Sequence, residues 1–332
     1  MGQKQCLASC LTLAAIKAPV NDGAHIAFGR IRKVMSRLRI SAISYLNTAP
    51  LMWDFEHGNP ASRSSMPVNR IGTHVNRTAA PKPAGAQETA ADFDISYTIP
   101  SACARALAEG AADIGIIPAA AYTTIPDLVI IPDIAIAARH AVRSILLVSK
   151  MPLDRAHTVA LDTSSMTSVA LAKILFAKWL GGARAYSAVA PGLDAMLAAC
   201  DAALLIGDPA LQVDRERYVT LDLAEEWHAR TGKPFVFAFW AVRRAALADH
   251  TSAAISKVFQ DSRDHGLAPE NLEAIAQEWA PRLSLTLESV RTYLARNIHY
   301  YLDPPCLDGL NLFYSLAAEI GALPPAPELE FL

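Results

Sequence analysis

Phe235-Val236-Phe237-Ala238-Phe239-Trp240-Ala241-Val242 is an unbroken run of eight apolar residues, and its reading decides the architecture. Eight residues suit a strand buried on both faces and fall far short of a membrane-crossing helix. Gly232 and Pro234 punctuate the chain just before it. The run follows a second series of strands and helices, so it reads as a return crossing to the sheet that the chain began.

Upstream, the first series has apolar strands over Leu38–Ser44, Phe93–Tyr97, Ala112–Ile117 and Leu128–Ile136. A helix spans Pro100–Leu107, with proline suited to its first turn and Gly110 at its end. Ser144–Ser149 continues that pattern, and a second series has strands over His157–Leu161 and Ala202–Ile206. Between the last two, Thr163-Ser164-Ser165 caps a helix running to Lys178, which Gly181-Gly182 ends. Strands alternating with helices imply βαβ units and a mostly parallel sheet. Downstream of the return strand, residues 244–318 read as helical, with breaks near Gly266, Pro281 and Pro304-Pro305. The expected fold class is α/β in two lobes. Residues 36–138 and 235–332 make one lobe and 139–234 the other. Two chain crossings form a hinge, and hinged lobes enclose an interlobe cleft suited to a small ligand.

Composition fits this reading. Of 332 residues, 52% are hydrophobic and 19% charged, enough to build a buried core and too apolar for disorder. The formal net charge of −2 and scattered Lys and Arg argue against a nucleic-acid stripe or a membrane-binding helix. Five cysteines, widely spaced and without a Cys-x-x-Cys unit, argue against a disulfide framework or a structural zinc site. They read as free thiols in a reducing cytoplasm. Leu7-Ala8-Ser9-Cys10 has the look of a lipoprotein cleavage box. The apolar stretch, however, follows Cys10 through Ile16 instead of preceding it, the reverse of a signal peptide. Residues 1–35 are therefore expected to be a disordered extension before Met35. Residues 59–91, with Pro60, Pro67, Pro81 and Pro83 and little periodicity, read as a flexible surface insertion.

Four polar patterns sit at strand ends, where open α/β sheets bind ligands. Ser44-Tyr45-Leu46-Asn47-Thr48-Ala49-Pro50 follows the first strand, with Asn47 either a helix cap or a ligand contact. Asp162-Thr163-Ser164-Ser165-Met166-Thr167-Ser168 brings hydroxyls and N–H groups to a helix N-terminus, which is an anion site or an ordinary cap. Arg143-Ser144 opens a strand near the hinge. Leu205-Ile206-Gly207-Asp208-Pro209 ends another, where Asp208 either bonds a substrate hydroxyl or caps its helix. No Gly-x-Gly-x-x-Gly, Gly-Lys-Ser loop, His pair at helical spacing or Gly-x-Ser-x-Gly elbow is found. His299 reads as a structural residue of a C-terminal helix, and Trp227 and Trp240 as packing residues.

These patterns, in this order, resemble the chorismate dehydratases of the futalosine route to menaquinone. The likeness is carried by 44–50, 112–118, 143–149, 160–171, 204–211 and 231–238, and extends over most of 37–313 apart from the insertion. The resemblance implies a type II periplasmic-binding-protein-like fold, a chorismate substrate and no metal or organic cofactor. It also implies that Asn47, Ser144 and Asp208 are catalytic. Ser44, Tyr45, Thr48, Arg143, Thr163, Ser164, Ser165, Thr167, Ser168 and Gly207 would contact substrate. None of the matched motif centres supplies a His, Glu or Lys as base, which points to a substrate carboxylate in that role, with Asp208 as the rival. The enzyme acting on cyclic dehypoxanthine futalosine in the same route, and a solute-binding protein, share the fold and stand as alternatives.

Overall fold

In the computed structural model, residues 37–58 and 93–332 are described. The expected extension 1–35 and insertion 59–91 lie outside these residues. The chain runs from β1 (Leu38–Ile43) through a 3-10 turn, Leu46–Met52, to α1 (Trp53–His57). It continues with β2 (Phe93–Thr98), α2 (Pro100–Ala108), β3 (Ile114–Pro118) and β4 (Leu128–Ala138). A second series follows: β5 (Ile145–Ser149), β6 (Thr158–Asp162), α3 (Thr167–Lys178), β7 (Ala185–Val189), α4 (Leu193–Ala199) and β8 (Ala202–Ile206). Next come α5 (Asp208–Leu211), β9 (Val219–Asp222), α6 (Leu223–Thr231) and β10 (Phe235–Arg243). The chain then folds into α7 (Ser252–Gly266), α8 (Pro269–Leu283), α9 (Leu287–Thr292), a π-turn over Tyr293–Asn297, and α10 (Pro304–Glu319).

Two five-stranded sheets result, ordered β2-β1-β3-β10-β4 and β7-β6-β8-β5-β9. The two orders are equivalent once the strand arriving from the other sheet, β10 or β5, is set apart. That arriving strand runs antiparallel to both neighbours. The sheets are therefore mixed, not mostly parallel. A strand entering from the other lobe has no crossover helix on its own sheet, so the rule that makes βαβ neighbours parallel does not act on it.

The central strands β3, β5 and β8 are buried at every residue, and β10 at all but its last, so they read as continuous apolar runs. Edge strands β7 and β9 are half-exposed and polar enough to leave little trace in the sequence. Three local expectations change. Pro281 does not break α8, which continues to Leu283 and stops with Ser284 in the left-handed conformation, φ 54°. The helix after β6 begins at Thr167 instead of at the Thr163–Ser165 triplet. His299 is not helical. It pairs with Ala137 by two backbone hydrogen bonds, because the π-turn ends one helix and Asp303, ahead of Pro304-Pro305, caps the next.

The C-terminal helices hold the first sheet's ligand edge in place. α7 packs on the 3-10 turn, α1 and β4, and α10 packs on β10 and α3. Gly266 allows the first of these contacts: a Cβ there would lie 1.9 Å from the Pro50 carbonyl oxygen. Trp227 and Trp240 are fully buried, and Cys103, Cys200 and Cys306 are free thiols. No helix among the described residues is long and apolar enough to cross a membrane.

Candidate functional site

The C-terminal ends of β1, β3, β6 and β8 converge on one cleft between the sheets. It offers about 440 Å³ of space, open solvent at its mouth included. Its walls are mainly apolar, among them Ile43, Pro100, Ile136, Met166, Ile206 and Phe237. Polar groups arrive from three turns: Tyr45 and Asn47 after β1, Ser165, Thr167 and Ser168 at the start of α3, and Gly207 after β8. A slot with apolar walls and a few convergent polar groups suits a small ring bearing polar substituents.

Polar contacts across the cleft tie the two lobes together. The Leu46 N–H donates to Asp208 Oδ1 at 3.0 Å. The Ser101 N–H donates to the Ser164 carbonyl at 3.1 Å. The Thr167 hydroxyl is spent on the partner lobe, accepting from the Ala120 N–H and donating to the Phe237 carbonyl, each at 3.0 Å. The Tyr45 ring packs closely against Gly207, whose φ of 67° and missing side chain permit it. A Cβ there would meet the ring at 2.5 Å.

Behind the wall lies a buried polar layer. Ser144 is wholly buried. Its hydroxyl accepts from the Tyr293 phenol at 2.8 Å, and its carbonyl accepts from the Gly207 N–H at 2.8 Å. Tyr293 also feels the charges of Asp208 and Arg143. Burial pushes its phenol far above the ordinary range. Asp208 is pushed up to about 6, because burial outweighs its single bond from Leu46. Arg143 sits at φ 64°, with its N–H on Asp222 Oδ2 at 2.6 Å and its guanidinium on the Ser289 hydroxyl at 3.1 Å. Burial and nearby Arg215 lower its pKa. Asp222 fastens the crossing segment: it also accepts from the N–H groups of Val142, Ala224 and Glu225.

Of the residues singled out in the sequence, Tyr45, Asn47, Ser165, Thr167, Ser168 and Gly207 line the cleft. Ser144, Arg143 and Asp208 stand in the layer behind. Ser44 and Thr48 face a neighbouring groove that shares Tyr45 as a wall. Thr163 is exposed, its N–H bonded to Val189, and Ser164 is buried with its hydroxyl on Asp162 at 2.6 Å. Two residues of the layer had no sequence signal, Tyr293 and Asp222, while Asp162 headed the polar pattern after β6 but was given no role of its own. Tyr293 arrives from a distant π-turn, and Asp222 looked like a strand end. Among the described residues, one trio of metal-ligand type occurs, His299, Asp303 and Cys306. Arg139 pairs with the same Asp303 oxygen at 2.6 Å and supplies the positive charge there.

The family model for menaquinone biosynthesis matches residues 38–319, the whole of the two sheets and the cleft. The chain belongs to that family. A chorismate dehydratase of Thermus thermophilus is 32% identical over 71% of this chain and 89% of its own length. One from Campylobacter jejuni is 30% identical over 52% of this chain and 60% of its own length. Solved structures share the fold. The periplasmic aliphatic sulphonate binding protein SsuA of Escherichia coli matches with a TM-score of 0.56 at 16% identity, covering 87% of this chain and 94% of that one. A Candida albicans gene product with the generic periplasmic binding protein fold matches with a TM-score of 0.54 at 11% identity, covering 89% and 97%. This menaquinone-biosynthesis family member thus has the two-lobed periplasmic-binding-protein-like fold, and every cleft residue named above falls within the matched span.

Proposed function

We propose that this protein is a chorismate dehydratase, a carbon–oxygen lyase. It would convert chorismate to 3-[(1-carboxyvinyl)oxy]benzoate and water at the start of a futalosine-type route to menaquinone, in the cytoplasm. The observation that carries the reading is the cleft wall itself. Asn47 faces the start of α3 across apolar walls, in a chain whose relatives are named for this activity.

The reaction removes the C3 proton and the C4 hydroxyl of the ring. The C3 proton is vinylogous to the ring carboxylate, so charge developing at C3 spreads into that carboxylate. The N-terminus of α3, with the Ser165 and Ser168 side chains, suits the carboxylate, because its dipole and donors grow more favourable as charge arrives. Asn47 orients the ring at its hydroxyl. Ser144, whose hydroxyl accepts from Tyr293, is assigned to holding the second carboxylate. The enolpyruvyl carboxylate of the substrate takes the C3 proton. Aromatisation drives the step, so a weak base held in place suffices. Asp208 keeps Leu46 in position and is not needed as base.

The test is to mix the purified protein with chorismate and follow the benzoate product by chromatography. Product formation that is lost in Asn47→Ala supports the reading. Tight binding without turnover supports a binding protein instead, and no binding points to the enzyme acting on cyclic dehypoxanthine futalosine. Loss of nearly all turnover in Asp208→Asn, with binding kept, would make Asp208 the base.

A further inference from the structure

We propose that Thr167 is the positioning residue of the site: its hydroxyl hangs the N-terminus of α3 from the rim of the first sheet and so fixes the gap between that terminus and Asn47. The inference rests on the dehydratase reading. It reassigns a residue that the resemblance places against substrate.

A threonine hydroxyl has one proton to give. Thr167 gives it to the Phe237 carbonyl at 3.0 Å and accepts from the Ala120 N–H at 3.0 Å. The Thr167 side chain is buried, and both partners belong to the other lobe. No proton is left for a substrate carboxylate, and an oxygen that only accepts would repel one. Thr167 therefore borders the cleft without donating to a ligand in it.

Both partners sit where regular structure is interrupted. β4 pairs with Val236 and Ala238 but skips Phe237, and β3 pairs with β10 only from Ala238 onward. Phe237 is thus the extra residue of a bulge, the device by which a strand re-aims groups beside an active site. Ala120 is the second residue of the 3-10 turn Ala119–Thr123 that follows β3, and an N–H in the first turn of a helix has no partner within its own helix. One hydroxyl from α3 meets both groups. The 3-10 turn is itself held from behind. The Tyr314 phenol on α10 donates to the Ala119 carbonyl at 2.7 Å, and the Tyr122 phenol donates to the Glu328 carbonyl at 3.2 Å. Residues Ala119 to Tyr122 are all buried, so the turn is a fixed post.

The N-terminus of α3 has no side-chain cap of its own, since Met166 occupies the cap position. Its place is set by Thr167, the first residue of the helix. Ser165 and Ser168, on either side of Thr167 in the chain, line the same cleft as Asn47. A shift of α3 off its post would carry both serines away from the ring carboxylate, and a displacement of about 1 Å costs on the order of 10²-fold in rate. Thr167 acts through these donors and touches no reacting atom.

The experiment measures kcat and KM for chorismate in two variants. Thr167→Val keeps the shape and loses the hydroxyl, and Thr167→Ser keeps the hydroxyl. Thr167→Val should lower kcat on the order of 10²-fold with KM within about threefold of the parent, because donors out of place are missed most in the transition state. Thr167→Ser should recover most of this loss, to within about fivefold of the parent. Should Thr167→Val fail to fold, Tyr314→Phe loosens the post and leaves the Thr167 hydroxyl in place. It should lower kcat in the same sense, less steeply, with KM unmoved. A folded Thr167→Val with the parent kcat, a rise in KM alone, or equal losses in the Val and Ser variants overturns the positioning role alone. Unchanged kcat in Tyr314→Phe, where it stands in for Thr167→Val, does the same. A parent protein without turnover overturns the dehydratase reading and the positioning role together.

Discussion

The Tyr293 phenol donates to the Ser144 hydroxyl at 2.8 Å, joining residues 149 positions apart in a fully buried layer beneath the cleft. The π-turn starting at Tyr293 widens the helix at that point, and such turns are frequent at functional sites. The phenol thus sets the orientation of the Ser144 hydroxyl. Tyr293→Phe should leave the Ser144 hydroxyl short of a partner, costing about 1–3 kcal/mol of stability. It should also lower kcat more than it raises KM. Urea unfolding and steady-state kinetics check both effects, and unchanged kcat would show that Tyr293 only packs.

Asp208 gives a pH-dependent prediction. Its folded pKa of about 6 stands above the ordinary 3.8. Between those values the folded chain holds a proton that the unfolded chain has released. The stability from this group is thus fully present below the ordinary value and lost as pH rises through 6. Asn at this position accepts the Leu46 N–H and does not titrate. Asp208→Asn should therefore gain on the parent as pH rises from 4 to 8, by on the order of 2 kcal/mol. Denaturant unfolding of both proteins across that range would show a flat difference if Asp208 were solvated.

Gly207→Ala tests the Tyr45 platform. The added methyl meets the Tyr45 ring at 2.5 Å, and φ is 67°. The backbone conformation alone costs about 1–2 kcal/mol. Moving the ring should lower turnover on the order of 10²-fold. Wild-type turnover in a folded Gly207→Ala would show that the Tyr45 position is unimportant.

Asp222 separates hinge from helix cap. Its Oδ1 accepts from Val142, Ala224 and Glu225, and its Oδ2 from Arg143 alone. Asp222→Asn exchanges only the Arg143 acceptor for a donor and should cost about 1–2 kcal/mol. Asp222→Ala leaves all four N–H groups unpaired and should cost about 3 kcal/mol or more. Thermal unfolding checks the order of the two, and equal losses would mean that the three Oδ1 contacts add nothing beyond the Arg143 contact.

The two sheets were legible in the sequence where strands are buried on both faces. Ile114–Pro118, Ala202–Ile206 and Phe235–Arg243 each leave a nearly unbroken apolar run. β7 and β9 were not legible, because half-exposed edge strands carry polar residues. At the site, the turns after β1, β6 and β8 were visible because glycine, proline and short polar residues cluster there. Which of their hydroxyls face the cleft was not: Thr167 bonds the other lobe and Thr163 faces solvent.

The sequence by itself determined the α/β alternation, the return strand Phe235–Arg243 and the polar turns at the strand ends. Each follows from local periodicity and from residues with restricted or permissive backbones. Only the tertiary structure decided that β5 and β10 run antiparallel to their neighbours and that Leu46 pairs with Asp208. The same holds for the meeting of Tyr293 with Ser144 and for the burial of Asp162 with one oxygen unpaired. These features depend on bringing distant segments into one buried volume, where an unpaired polar group is costly and partners are chosen by position, whatever their separation along the chain.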